Sequence, residues 1–129
     1  MAYRVYSKTV DVTIPQGQTS GSAKIVCPTV GAIHKVAVRQ VSGTSTAATL
    51  YLFGAEGVTA NDYDLKTVIP KLSISAGSTA SQFSDHGWRY GRFDDMHAVE
   101  GLVATVTIGS AAGQDLTYRI FLVLSTHDG

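Results

Sequence analysis

A single cysteine, Cys27, excludes an intrachain disulfide, so at 129 residues the fold must rest on a hydrophobic core. Its setting, Ile25-Val26-Cys27-Pro28, is apolar and has no adjacent cation, which makes the thiol a small hydrophobe and not a reactive group. Charge is scarce: 16% of residues are charged, ten basic against ten acidic, for a net charge of zero. That balance argues against electrostatically driven nucleic-acid binding. No apolar run approaches the roughly 18 residues of a membrane span. The first eight residues hold no continuous apolar stretch, so no signal peptide is expected, and a membrane partner is not expected either. Sustained helical periodicity is also missing. So are a nucleophile elbow, a zinc-binding His-Glu-x-x-His, a dinucleotide glycine fingerprint and a phosphate-binding loop. Together these absences point away from catalysis, with no cofactor and no metal expected.

What is present is a period of two. In residues 4–14, Tyr6, Val10, Val12 and Ile14 share one face, interrupted by Lys8, while Ser7, Thr9, Asp11 and Thr13 share the other. Pro15-Gln16-Gly17-Gln18-Thr19-Ser20-Gly21 reads as a turn. Residues 22–26 resume an extended pattern. Residues 33–41 are rich in β-branched side chains and form a strand, with Val36 and Val38 expected on one face beside His34 and Gln40, and Ile33, Ala37 and Val41 opposite. Residues 46–53 follow a short Ser-Gly-Thr-Ser turn and suggest its hairpin partner. A long loop is expected around residues 54–71, with one helical turn near 61–65. Short strands are expected at 72–75 and 79–83, and two more at 102–108 and 116–124. The unbroken apolar run Ile120-Phe121-Leu122-Val123-Leu124 suggests a strand buried on both faces, in the middle of a sheet or beneath a neighbouring subunit. Eight or so short strands imply an all-β, two-sheet β-sandwich, jelly-roll or immunoglobulin-like, in one domain over residues 1–129.

Charge is unevenly placed. Residues 1–55 hold five basic residues against Asp11 alone, whereas residues 56–129 hold five basic and nine acidic. Interleaving of strands from the two halves would average this out; opposite patches would instead favour stacking on copies or on a charged scaffold.

Candidate chemistry is sparse. Asp62-Tyr63-Asp64 opens like a calcium loop, but Thr67 stands where glycine is needed and Ser73 where the closing carboxylate belongs. The four histidines, His34, His86, His97 and His127, show no metal-ligand spacing; His86 and His97 have Asp85, Asp94 and Asp95 near them in sequence only. One segment stands apart: Phe83, Trp88, Arg89, Tyr90, Arg92 and Phe93 fall within eleven residues and are the residue types that anchor interfaces. They fit a protein interface or a sugar-stacking platform, and fit an RNA-stacking strand less well because of the aspartates beside them. The competing reading is that Phe83, Trp88, Tyr90 and Phe93 alternate into the core.

The stretch Thr13-Ile14-Pro15-Gln16-Gly17-Gln18-Thr19-Ser20-Gly21-Ser22-Ala23-Lys24, the run Val30-Gly31-Ala32-Ile33-His34-Lys35-Val36-Ala37-Val38, and Thr49-Leu50-Tyr51-Leu52-Phe53-Gly54 resemble small structural proteins of tailed bacteriophage virions. The resemblance lies in strand rhythm and Gly/Ser/Thr/Ala-rich style and carries no diagnostic motif. It implies a capsid decoration (cement) protein that binds and bridges capsid subunits. The implied partners are the major capsid protein or other virion proteins, with a homo-oligomer (trimer or dimer) and a virion location after synthesis in the host cytoplasm. A tail or fibre component is the alternative within that family. A carbohydrate-binding, lectin-like module using segment 83–93 is the alternative outside it. The chain departs from cement proteins that grip the shell with a long basic arm, since it has none.

Overall fold

A computed structural model describes residues 2–26, 31–54, 69–90 and 101–128. They form eight strands: β1 (Ala2–Ile14), β2 (Ser20–Val26), β3 (Gly31–Ser42), β4 (Ala48–Gly54), β5 (Leu72–Ile74), β6 (Ala80–Tyr90), β7 (Gly101–Thr107) and β8 (Leu116–Asp128). One sheet has the order β1-β8-β3-β6 and the other β2-β7-β4-β5, with antiparallel neighbours throughout. The pairs β1·β8, β2·β7, β3·β6 and β4·β5 are the rungs of one long antiparallel hairpin. Rolling that hairpin up brings β8 against β3 and β7 against β4. This wrapped topology is a jelly roll and not an immunoglobulin arrangement.

Alternation fills the space between the sheets. Val12, Ile14, Ile33, Val36, Val38, Ile120, Leu122 and Leu124 point inward from the first sheet, meeting Leu50, Leu52, Leu102, Ala104 and Val106 from the second. Each fully buried Leu or Ile contributes about 1.5–3 kcal/mol by leaving water. Tyr118 is buried with them, and its hydroxyl donates to the Thr46 carbonyl at 2.7 Å. Burial raises the Tyr118 pKa above its ordinary value, which keeps that donor protonated.

The sequence-derived faces of β3 need correction. Ile33, Val36 and Val38 are all buried, which strict alternation forbids. The ladder shifts register between Ile33 and Lys35 on both sides of β3, so a bulge at His34 resets the parity. His34 therefore leaves the Val36 face, and its Nε2 lies 2.7 Å from Ser125 Oγ. The expected hairpin of residues 33–41 with 46–53 is also overturned. β4 lies in the other sheet and pairs with β5 and β7, so the intervening turn crosses between layers. Gln40 braces that turn, accepting from Thr46 N at 2.9 Å and donating to the Ser42 and Thr44 carbonyls. The loop expected around 54–71 and the calcium-like Asp62-Asp64 fall mostly outside the described residues.

Where the β1/β8 rung passes to β2/β7, both arms turn together. Gly17 N donates to Ala112 O at 2.8 Å, Ala112 N to Gln18 O at 2.9 Å, and Ile108 N to Thr19 O at 2.9 Å. Asp115 Oδ1 accepts from Gln16 N at 2.8 Å. Gly21 closes the corner: a Cβ there would collide with the Thr13 carbonyl oxygen, a backbone atom that cannot swing aside. Gly21→Ala is expected to cost about 3 kcal/mol or more in urea unfolding. Gly109→Ala, which meets open space, should stay within about 0.5 kcal/mol.

Candidate functional site

The two outer sheet faces differ in chemistry. On β2-β7-β4-β5, the register aligns Ser20, Thr107, Thr49 and Ser73 in one row and Ser22, Thr105 and Tyr51 in the next. Ser22 Oγ and Thr105 Oγ1 lie 2.9 Å apart, so these two hydroxyls satisfy one another across the ladder, and the following row of this face pairs the exposed Lys24 with Val103.

The outer face of β1-β8-β3-β6 is apolar and cationic. One row runs Ser7, Val123, Lys35, Phe83, and the next runs Thr9, Phe121, Ala37, Ser81. A third places Asp11, Arg119 and Arg39 side by side. Phe83 is 71% exposed, Val5 58% and Phe121 37%. Val41, also 37% exposed, sits at the register shift that ends β3. Ala37 is the low point between Phe121 and Ser81, flanked along its own strand by Lys35 and Arg39.

Electrostatics on this face centre on Arg119. It makes a two-pronged contact with Asp11, Nε to Oδ1 at 2.8 Å and Nη2 to Oδ2 at 3.0 Å. The hydrogen bond from Arg119 is the main reason that the Asp11 pKa is lowered, and the same bond raises that of Arg119. Arg39 stands directly opposite Arg119, a like-charge pairing that disfavours the ladder and that Asp11 offsets.

The aromatic segment singled out from sequence divides within β6. Phe83 pairs with Lys35 and faces solvent; Trp88 pairs with Ile33 and packs half-buried against the core. Gly87, at φ +79°, lets β6 bulge closely over Ala32 and His34, where a Cβ would come within 2.8 Å of the Ala32 methyl. Arg89 and Tyr90 end β6, paired through their backbones with Ala32 and Gly31. Arg92, Phe93 and His97 fall outside the described residues. Sequence reasoning missed Phe121 as a surface residue, because the run Ile120–Leu124 reads as buried on both faces. In the structure Ile120, Leu122 and Leu124 are buried, while Phe121 and Val123 face outward beside the central position of β8.

Among the described residues no group of three or more His, Cys, Asp or Glu could hold a metal ion. An open hollow of about 260 Å³ at the turn end is lined by Thr44, Thr46, Ile108, Ser110 and Gln114, among others, with uncharged hydroxyl, amide and small apolar groups. No helix is long and apolar enough to cross a membrane among the described residues.

No protein-family model and no curated protein matches the chain. Among solved structures, a chain of tomato aspermy virus superposes with a TM-score of 0.53 at 11% identity, covering 98% of this chain and 79% of that one. A chain from the disulfide-linked pili of Bacillus endospore appendages gives 0.49 at 15% identity, covering 99% and 93%. The decameric BFDV capsid protein gives 0.45 at 9%, covering 98% and 99%. The first of these likenesses shows a shared β-sandwich fold.

Two expectations follow from this geometry. Trp88→Ala should cost about 2 kcal/mol or more in chemical denaturation, whereas Phe83→Ala should stay within about 0.5 kcal/mol. The Asp11 carboxyl, held down by Arg119, contributes to stability above the ordinary carboxylate pKa and loses that contribution as pH falls through its lowered value. The stability gap between wild type and Asp11→Asn at neutral pH should therefore close in acid. The Asp11 carbon-13 titration midpoint should lie below 3.8 and return towards it in Arg119→Gln.

Proposed function

We propose that this chain is a virion structural protein that works by assembly: a one-domain capsid-decorating subunit that oligomerises and bridges capsid subunits. The observation that carries this reading is the exposed apolar set around Phe83 and Phe121 on one face of a regular sheet. A soluble domain gains nothing from leaving Phe83 71% exposed in isolation, whereas an aromatic at the centre of a docked patch is a typical interface anchor. The β-sandwich fold shared with a virus chain supports the same reading. Its mechanism is multivalent. Several subunits held together present several shell contacts at once, so modest single contacts sum to firm attachment without chemistry at any residue.

The sugar-binding alternative is not favoured, because Trp88 packs partly buried against the core instead of standing clear of it. The decoration reading is tested by co-sedimentation with virus particles that lack the chain. Wild type should pellet to saturation at a fixed ratio to the capsid protein. Phe83→Ala, folded but deprived of the anchor, should need roughly tenfold more protein to half-saturate. No pelleting with any particle, by a folded wild type, rejects the virion role.

A further inference from the structure

We infer that Arg39 and Arg119, neighbours on the outer face of β1-β8-β3-β6, form a site for a carboxylate. The partner seated there is a protein surface that presents an aspartate or glutamate among apolar side chains. The inference rests on the assembly reading above and names the chemistry of the surface that this face meets.

The first observation is an incomplete row. The register places Asp11, Arg119 and Arg39 side by side, one acid for two guanidinium groups. Asp11 takes Nε and Nη2 of Arg119, which leaves Nη1 without a hydrogen bond among the described residues. Arg39 is exposed and joins no ion pair among those residues. β6 begins at Ala80, opposite Val38, so at the level of Arg39 no paired strand stands beyond it. Residues directly opposite in a ladder hold their Cβ atoms about 5 Å apart, and like charges so placed oppose the pairing. Each guanidinium presents planar N–H donors that match a carboxylate. A second carboxylate, brought by a partner, gives the row two acids for its two cations.

The second observation is what surrounds the row. The next row, about 7 Å along the strands, carries Phe121 and Ala37, and the one beyond it carries Lys35 and Phe83. Phe83 and Phe121 are the two exposed aromatics of this face. Arginine beside exposed aromatic rings is the composition of an interface anchor, and an acid flanked by apolar side chains is its complement. A phosphate backbone fits less well, because it asks for a line of several cations. The described face offers only Lys35 and Arg39 unpaired, and it sets the Asp11 carboxylate in the same row.

The test follows the backbone amide signals of the full isotope-labelled chain while a short peptide of alternating glutamate and leucine is added. The signals of Lys35, Arg39, Arg119 and Phe121 should move together. The same peptide with glutamine in place of glutamate should bind about tenfold more weakly. Arg39→Gln should weaken the glutamate peptide by about the same factor, with a melting temperature no lower than wild type, because a like-charge contact is lost. Lys24→Gln removes the same charge from the other sheet and should leave binding within about twofold. Equal binding of the two peptides overturns the inference, as does equal weakening by Arg39→Gln and Lys24→Gln. So does oligothymidylate that binds this face more tightly than the glutamate peptide, which would make it a nucleic-acid surface. Particle co-sedimentation decides the assembly reading separately. Pelleting by a chain without the peptide site leaves the virion role standing without this contact, and a carboxylate site on a chain that never pellets does the reverse.

Discussion

Every strand in this protein takes its place from one constraint: strand n pairs with strand 9 − n. A long antiparallel hairpin satisfies its backbone along its own length, and a sheet is stable only when its apolar face is covered. Rolling the hairpin on itself meets both conditions, because the β1/β8 and β3/β6 rungs become one sheet and cover the sheet made from the other two. The roll requires both arms to bend at the same place. That is why residues of the β1–β2 turn hydrogen-bond to the β7–β8 turn, and why Gly21 must bring its backbone against Thr13. Gly43, at φ +93° and pressed against the Asp115 carbonyl, serves the β3–β4 crossing in the same way.

The same wrapping decides where charge goes. Each sheet alternates strands from the first and second halves of the chain, so the basic half and the acidic half are interleaved. Interleaving neutralises the Asp11–Arg119 row in part, since one partner comes from each half. Among the described side chains no acid stands opposite Lys35 and Arg39, which share β3 with only Ala37 between them on the outer face. Their exposure beside Phe83 and Phe121 gives the molecule one chemically distinct side, and the functional proposal turns on that side.

The strands themselves were largely legible, because Val, Ile and Thr at period two bounded by Gly and Pro mark β1, β3, β7 and β8 without help from tertiary structure. Their partners were not. The Ser-Gly-Thr-Ser turn after β3 reads locally as a hairpin, yet the chain uses it to change sheets, and only the distant rungs decide between those outcomes. Jelly roll and immunoglobulin orders were inseparable for the same reason. The bulge at His34 was invisible because it arises from the fit of β3 between two neighbours. Within the aromatic segment, composition pointed to an interface but could not say that Phe83 turns outward and Trp88 inward. Phe121 escaped notice because an apolar run hides which of its members alternate outward.

The rungs β1·β8 join residues 102 to 126 positions apart, from Ile14·Leu116 to Ala2·Asp128. During synthesis the first strand to leave the ribosome must therefore wait for the last before its longest ladder can form. Contacts of such separation make folding slow, because the closure entropy falls due before the ladder can compensate it. In that interval the half-apolar face carrying Val10, Val12 and Ile14 stays uncovered. The run of Ser7, Thr9, Asp11 and Thr13 on the opposite face of β1 then acts as a guard on the nascent chain, keeping that strand soluble until its partner arrives.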